Sequence, residues 1–191
     1  MKDFRSDIQK YLETEIQVLK SLDLSELNDA VGAILAARDR GAAIYTMGNG
    51  GSSATASHMV CDLSKGIYEN IGGKKFLCEC LSDNVPTITA IANDLSYDDI
   101  FSFQLKDKLC KGDLVIAISG SGNSKNIIKA VEFAKSVGAV VVGITGYSGG
   151  KLRELCDYSM HAAIDDMQIS EDVHMIFDHM LMRIISDSES K

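Results

Sequence analysis

The sequence is short of several residue types and patterns, and these shortages exclude whole classes of protein. It has no tryptophan, a single proline, Pro86, and no tract rich in Pro, Gly and Ser that could link two domains. No apolar run approaches the roughly 20 residues that a membrane-spanning helix requires. The N-terminus has no apolar core followed by a small-residue cleavage site, so it predicts no secretory signal. We therefore expect one domain over residues 1–191, with no membrane as a partner.

Basic residues and paired cysteines are also scarce. Lys and Arg number 19 against 27 Asp and Glu, a formal charge of −8, which disfavours a nucleic acid or an anionic membrane as partner. The five cysteines include no CxxC pair, and this usage indicates a reducing compartment. We therefore expect a cytoplasmic protein. A small anionic ligand remains compatible with this charge, because backbone N–H groups can hold a phosphate.

Helices and strands alternate along the chain. Apolar residues recur at helical spacing over 4–22 and 25–40, with Ser25 as the expected N-cap of the second helix and Gly41 as its end. Strands are predicted at 43–47, 76–81, 114–119, 140–145 and 158–164, and further helices at 53–64, 84–92, 98–109, 125–137, 149–155 and 170–186. Apolar strands between helices predict a parallel sheet covered on both faces. The fold is then a doubly wound five-stranded α/β sheet with ligands beyond the carboxyl ends of its strands.

The N-terminal helix, within residues 1–23, extends this fold. It precedes the sheet and carries much apolar surface. That surface predicts packing either on another subunit or on the helix's own domain, and the sequence leaves both open.

Two turns rich in Gly and Ser stand where a strand gives way to a helix. The first, residues 48–53, reads GNGGSS, and its glycines allow positive φ and close approach of the backbone to a ligand. The second, residues 119–124, reads SGSGNS, and its hydroxyls and the N–H groups of the next helix could surround a phosphate. Neither is a Walker A loop, because no Gly-Lys-Ser/Thr follows. Two such turns in one sheet favour phosphate binding over a plain connection.

The motifs GNGGSSATASH and SGSGNS resemble those of the sugar isomerase (SIS) domain family. The similarity extends over nearly the whole chain, through residues 84–101 and 122–152 to a last helix that carries two histidines. The resemblance implies a SIS-type fold, a homotetramer and a sugar-phosphate substrate held by serines of both turns. The binding residues it implies are Asn49, Gly50, Gly51, Ser52, Asp94, Ser119, Gly120, Ser121, Ser124 and Glu171. The family often has Thr where Gly120 stands, and a backbone N–H is expected to replace that hydroxyl.

His58 and Asp62 are spaced i, i+4 on the helix after the first turn, so their side chains share one face. The resemblance implies that Asp62 is the base and His179 the acid of an aldose–ketose isomerisation, although the family usually has Glu where Asp62 stands. Some relatives bind zinc at positions matching His58, Asp62, Glu171 and His179, which implies one Zn²⁺ per subunit. Glu171 and His179 are about 12 Å apart along a straight helix. They can share an ion only if Glu171 lies in a bent start of the helix, or if two subunits contribute.

The resemblance is to the branch of the family that interconverts sedoheptulose 7-phosphate and D-glycero-D-manno-heptose 7-phosphate through an enediol. Two alternatives stay open. One relative associates with a replication initiator protein instead of isomerising sugars, and other members isomerise different sugar phosphates. The presence of His58, Asp62, Glu171 and His179 together favours the enzyme. His174, on the same last helix, is predicted to be structural.

Overall fold

The structure is a computed structural model that describes residues 2–67 and 74–189. Its strands are β1 Ala43–Gly48, β2 Leu77–Cys80, β3 Leu114–Ser119, β4 Val140–Thr145 and β5 Tyr158–His161. Its α-helices are α1 Arg5–Lys20, α2 Leu24–Asp39, α3 Gly51–Cys61, α4 Val85–Asp94, α5 Ser102–Leu105, α6 Lys125–Val137, α7 Gly150–Leu155 and α8 Met167–Glu189. A π-helical segment, Asp62–Gly66, continues α3. Across the described ranges, no helix combines the length and the apolar character needed to cross a bilayer.

The sheet is parallel throughout, with the strand order β2-β1-β3-β4-β5. The predicted doubly wound five-stranded fold is confirmed. The direction of winding reverses between β1 and β3, and at such a switch point the two following turns diverge and leave a crevice for a ligand. The turn after β1 is GNGGSS and the turn after β3 is SGSGNS, so the topology places the two predicted phosphate turns side by side.

Alternate residues of the central strands point to opposite faces, where two separate apolar clusters form. In β3, Leu114, Ile116 and Ile118 belong to the cluster that includes side chains of α1, α2, α3 and α8. Val115 and Ala117 belong to the cluster formed with α4, α5, α6 and α7. All five are fully buried, and burying a Val, Leu or Ile side chain contributes about 1.5–3 kcal/mol. Coverage of both faces explains why these strands are apolar without alternation.

The second helix begins one residue earlier than predicted, and its cap is a different residue. The Asp23 carboxylate accepts hydrogen bonds from the backbone N–H groups of Ser25 (2.8 Å) and Glu26 (3.1 Å). Asp23 is therefore the N-cap, and the assignment of that role to Ser25 was wrong. Gly41 has a φ of +70° just after the helix, in agreement with its predicted role as the end of α2.

Two other predicted segments are shorter or more broken in the structure. The helix expected at 98–109 is a 3-10 turn, Tyr97–Asp99, followed by the four-residue α5. In α5 the Gln104 side chain donates hydrogen bonds to two backbone carbonyls, one of them in the turn after β2, and so fixes the chain there. The strand expected at 158–164 ends at His161, because the carbonyl of Ile164 accepts a hydrogen bond from the loop after β4 instead of the sheet.

Gly122→Ala is expected to lower the free energy of unfolding by at least about 3 kcal/mol. Gly122 has a φ of +67°, and a Cβ there would lie 1.9 Å from the carbonyl oxygen of Gly149. The matched control is Gly32→Ala in the middle of α2, where a Cβ meets nothing within 4 Å. That change is expected to raise stability by about 0.5–1 kcal/mol. Urea denaturation measures both, and equal effects of the two changes would contradict this account of the turn.

Candidate active site

The second turn, residues 119–124, closes on itself and presents hydroxyl groups. The backbone N–H of Gly122 donates to the carbonyl of Ser119 at 3.0 Å. The hydroxyl oxygens of Ser119 and Ser124 lie 3.2 Å apart. Helix α6 begins directly after Ser124, so its unpaired N–H groups and the positive end of its dipole lie at the same place. The turn thus offers donors of the kind that bind phosphate.

The first turn is fastened to the second by a reciprocal pair of amides. The Asn49 side chain donates to Asn126 Oδ1 and the Asn126 side chain donates to Asn49 Oδ1, each at 2.9 Å. The Tyr97 hydroxyl also donates to Asn49 Oδ1, at 2.9 Å. Asn126 is buried, and sequence reasoning missed it, although it follows the SGSGNS motif by two positions. Much of the hydrogen-bonding capacity of Asn49 therefore serves to hold the turns together.

Both turns and the start of α8 line one cavity of about 160 Å³. Its walls are Asn49, Ser52, Ile118, Ser119, Gly120, Ser121, Ser124, Met167 and Glu171. The four serines implied to hold phosphate are thus brought together. The structure explains why glycine stands at position 120, because a Cβ there would lie 2.8 Å from the sulfur of Met167. The thioether occupies the space that a threonine side chain would need.

Glu171 places its carboxylate in this cavity, against the first turn. Both carboxylate oxygens lie 2.5 Å from the point that a Cβ on Gly51 would occupy, so a side chain there would displace the Glu171 carboxylate. Gly51 is the first residue of α3, and a negative charge at a helix N-terminus is favourable. Glu171 lies within the regular helix α8 and not in a bent start.

Three residues implied to bind the sugar, Gly50, Gly51 and Asp94, are not among those that line the cavity. Gly50, with a φ of +55°, is the N-cap residue of α3 and shapes the turn through its backbone. Asp94 is the last residue of α4, is exposed, and accepts a hydrogen bond from Asn93 Nδ2 at 2.8 Å. A contact of Asp94 with the sugar stays a prediction.

Further along the same two helices, two histidines and two aspartates converge. His58 Nε2 lies 3.1 Å from His179 Nε2 and 3.8 Å from a carboxylate oxygen of Asp62. A carboxylate oxygen of Asp178 lies 4.0 Å from the same nitrogen. One ligand atom from each of the four side chains lies within 4.8 Å of the others. The predicted meeting of His58, Asp62 and His179 thus occurs within a single chain, and Glu171 is not in this cluster.

Asp178 is the member of the cluster that sequence reasoning missed. Its side chain is 1% exposed, and neither carboxylate oxygen accepts a hydrogen bond from the residues that the structure describes. Burial, and then the negative charge of Asp62, raise the pKa of Asp178 to about 7, while His179 opposes the rise. The sequence gives no clear signal for it, because the burial of this part of α8, where the neighbouring Phe177 is fully buried, is seen only in the structure.

The cluster is compatible with a bound divalent metal ion. Imidazole nitrogen and carboxylate oxygen are ligands of zinc in proteins, at about 2.0–2.2 Å. Two nitrogens bound to one tetrahedral zinc at that distance lie roughly 3.3 Å apart, close to the 3.1 Å between His58 and His179. A cation would also neutralise the Asp178 carboxylate, whose charged form is disfavoured by burial. Both the donor atoms and the local charge therefore fit a cation.

Larger cavities on the described surface lack these features. One of about 230 Å³ is lined by the ion pair Arg153–Glu26 and by the start of β5. Another of about 460 Å³ lies beside α6, where Lys129 and Lys151 pair with neighbouring carboxylates. Neither cavity is lined by the two Gly- and Ser-rich turns, residues 48–53 and 119–124 (the serine turns), or by the His58–His179 pair. We therefore locate the candidate site by its side chains and not by cavity volume.

His174 is expected to make the fold sensitive to acid. Its ring is fully buried and stacks on Phe177, and burial lowers its pKa from 6.5 to about 4. Between these values the unfolded chain binds a proton that the native chain does not, so stability falls as pH drops from 6.5 to 4. We expect His174 to account for a loss of about 2 kcal/mol between pH 7 and 4.5.

The measurement for this prediction compares unfolding of the wild type and of His174→Gln at both pH values. The difference between the two proteins removes the contribution of other titrating groups. The variant should lose less stability than the wild type on acidification. Equal losses in the two proteins would show that His174 is not the acid-sensitive group.

Three features together define a SIS-type sugar-phosphate protein. They are the switch-point crevice, the serine turns, and the histidine–aspartate cluster of His58, Asp62, Asp178 and His179. The sequence profile of the SIS domain family matches residues 7–146. Phosphoheptose isomerase of Aneurinibacillus thermoaerophilus is 33% identical over 190 residues, covering 98% of this chain and 95% of that protein. Phosphoheptose isomerase of Aliarcobacter butzleri is 37% identical over 147 residues, 77% of each chain.

Solved structures agree with this relationship. A phosphoheptose isomerase from Francisella tularensis superposes with a TM-score of 0.88 at 26% identity, over 97% of this chain and 100% of that one. The chain belongs to the SIS domain family. Within that family it groups with the phosphoheptose isomerases.

Proposed function

We propose that the protein interconverts sedoheptulose 7-phosphate and D-glycero-D-manno-heptose 7-phosphate. The observation that carries this proposal is that the same two helices line the cavity formed by the two turns and also carry the histidine–aspartate cluster. Helix α3 carries Ser52 at the phosphate cavity and His58 at the cluster, and α8 carries Glu171 and His179 in the same way. A substrate that lies along both helices reaches both sites at once.

The phosphate group is bound at the turns. Ser52, Ser119, Ser121 and Ser124 provide hydroxyls around one cavity, and α3 and α6 both begin there. Helix N-termini and hydroxyls bind an anion without a lysine or arginine. This explains how an acidic chain of net charge −8 takes a phosphorylated substrate.

The separation of the two sites suits a long open-chain sugar. From Ser52 to His58 is about 9 Å along α3, and from Glu171 to His179 is about 12 Å along α8. Seven carbons joined by bonds of about 1.5 Å extend roughly 8 Å from C1 to C7 before the phosphate is added. A five-carbon sugar phosphate is shorter by two such bonds, so this distance favours a heptose.

The isomerisation moves a proton between C1 and C2 of the open chain. Starting from the ketose, Asp62 takes a proton from C1 while His179 donates one to the carbonyl oxygen at C2, which gives the enediol. Asp62 then returns its proton to C2, and the hydroxyl proton at O1 passes back to His179, which gives the aldose.

We propose Zn²⁺ as the metal, with His58, Asp62 and His179 among its ligands. When bound, the ion supplies Lewis-acid polarisation of the sugar oxygens. The serine turns bind the phosphate independently of it, since they lie at the other end of the substrate. Removal of the metal should therefore lower the rate and leave phosphate binding in place.

We also propose assembly into a homotetramer through α1. Its exposed face carries an apolar stripe at i, i+4 spacing, formed by Phe4, Ile8, Leu12 and Ile16, each about half exposed in the single chain. Such a stripe is typical of a helix that packs on another subunit. Leu12→Glu is expected to shift the particle to a smaller species in sedimentation analysis. Sedimentation of the variant at the wild-type mass would contradict a role of this stripe.

The activity is tested with sedoheptulose 7-phosphate and NMR of the products. The zinc-loaded protein is expected to convert the ketose to the aldose heptose 7-phosphate, and a chelator should slow the conversion. Arabinose 5-phosphate serves as the shorter comparison substrate and should react poorly. No conversion of the heptulose, or faster conversion of the five-carbon sugar, would overturn the proposal.

A further inference from the structure

The orientation of the Asn126 side-chain amide is fixed by the backbone next to it. The backbone N–H of Ile127 donates to Asn126 Oδ1 at 2.9 Å, and only the oxygen of an amide can accept such a bond. The Asn126 Nδ2 atom is therefore the donor to Asn49 Oδ1. Asn126 is 2% exposed, so solvent offers its amide no alternative partner. The orientation of the Asn49 amide follows from that of Asn126.

This orientation leaves Asn49 with a single hydrogen-bonding function for a ligand. A primary amide accepts two hydrogen bonds at its oxygen and donates two from its nitrogen. Asn49 Oδ1 accepts one from Asn126 and one from the Tyr97 hydroxyl, each at 2.9 Å, so its capacity is filled. Asn49 Nδ2 donates one to Asn126 Oδ1, and no described residue accepts its second N–H. Asn49 lines the cavity of the serine turns, and there it can only donate.

We infer that Asn126 and Tyr97 are positioning residues, which hold Asn49 as a pure hydrogen-bond donor to an acceptor oxygen of the substrate. This inference rests on the proposed function, since that function puts a sugar phosphate in the cavity. Phosphate oxygens and the carbonyl or hydroxyl oxygens of a sugar all accept hydrogen bonds. An Asn49 amide turned by 180° would present its oxygen to these acceptors and repel them. The bonds from Asn126 and Tyr97 exclude that orientation.

The two positioning residues hold Asn49 from different elements and to different degrees. Asn126 lies in α6, is buried, and exchanges two hydrogen bonds with Asn49. Tyr97 lies in the 3-10 turn after α4, is 55% exposed, and makes one bond. Loss of the Tyr97 hydroxyl leaves the amide pair in place, whereas loss of the Asn126 amide leaves Asn49 free to rotate. We therefore expect Asn126→Ala to have a larger effect than Tyr97→Phe.

The affinity for two ligands tests this inference. Binding of inorganic phosphate is measured by calorimetry, and binding of sedoheptulose 7-phosphate by equilibrium dialysis, which counts bound sugar whether or not it has isomerised. Asn49→Ala is expected to weaken the binding of at least one ligand about 10-fold, because it removes the donor. Asn126→Ala should cause a loss within about threefold of that. Tyr97→Phe should weaken the same binding by about two- to threefold, because one of the bonds that orient Asn49 is lost.

A double-mutant cycle shows whether the two residues act through Asn49. In the Asn49→Ala background, Asn126→Ala and Tyr97→Phe have no amide to position, so each should change the affinity by less than about twofold. A merely structural role of either residue would weaken binding in both backgrounds. The matched controls are Asn28→Ala on the exposed side of α2 and Tyr158→Phe at the start of β5, the end of the strand opposite to the turns. Both control variants should bind like the wild type.

Each outcome supports or overturns the inference. Weaker binding of inorganic phosphate places the Asn49 donor at the phosphate, weaker binding of the sugar phosphate alone places it at a sugar oxygen, and either result supports the inference. It is overturned if the wild type binds neither ligand, and for either residue whose variant binds both ligands like the wild type or whose effect persists in the Asn49→Ala background. Tyr97→Phe removes one hydroxyl from a half-exposed side chain, so it decides the question even if Asn126→Ala fails to fold.

The inference and the proposed function can fail separately, because these measurements need no turnover. A wild type that binds phosphate but does not convert the heptulose would refute the proposed function alone. A wild type that converts the heptulose, with Asn126→Ala and Tyr97→Phe binding both ligands normally, would refute the positioning role alone.

Discussion

Asp62→Asn is expected to lower the rate of isomerisation of sedoheptulose 7-phosphate about 1,000-fold or more. A positioned base contributes roughly 10²–10⁴-fold to a proton transfer, and an amide of the same shape cannot accept the proton from C1. Asp62 is 15% exposed and begins the π-helical segment after α3, so its side chain reaches the cluster, and the substitution leaves the two Gly- and Ser-rich turns unchanged. The rate is measured by NMR at saturating sugar.

The control for this variant is Asp172→Asn. Asp172 is an exposed acid on α8 whose carboxylate accepts a hydrogen bond from Tyr11, away from the cluster. The Asp172→Asn substitution removes the same charge from the chain as Asp62→Asn, and the variant should keep the wild-type rate. If Asp62→Asn retained the wild-type rate, Asp62 could not be the base.

His179→Ala is expected to lower the same rate about 100-fold or more, because it removes the proposed acid at the sugar oxygens. His179 is exposed and holds the 3.1 Å contact with His58, so its loss should change stability little. The effect should appear in kcat, while inhibition by inorganic phosphate, which reports on the serine turns, should not change.

A second readout separates the two roles proposed for this residue. If His179 is also a metal ligand, the alanine variant will bind Zn²⁺ more weakly than the wild type. Wild-type turnover by the zinc-loaded variant would exclude His179 as the acid. Lost activity together with lost phosphate inhibition would instead indicate a disturbed fold.

The strand pattern could be predicted from the sequence because burial on both faces leaves a strong signal. Val140–Thr145 and Leu114–Ser119 are apolar almost throughout and lie where they were predicted. Boundaries were less accurate where a side chain decides them. Asp23 caps α2 through a carboxylate, and Gln104 fixes a broken helical segment by bonding to carbonyls. Such choices depend on neighbours in space, which a periodic pattern does not show.

The site was predictable where local spacing sets the geometry. His58 and Asp62 share a face because they stand i, i+4, and the structure brings His179 to them from the other helix. Three features could be recognised only in the structure. They are the Asn49–Asn126 amide pair, the contact of the Met167 side chain with Gly120, and the presence of Asp178 instead of Glu171 in the cluster. Each one joins elements that are far apart in sequence.

The central claim is spatial: one sugar phosphate spans the serine turns and the histidine–aspartate cluster. A crystal structure with sedoheptulose 7-phosphate bound tests it most directly. We predict the phosphate within hydrogen-bond distance of Ser119, Ser121 and Ser124, and C1 and C2 beside Asp62 and His179. A phosphate bound elsewhere, or reactive carbons that lie away from Asp62 and His179, would contradict the claim.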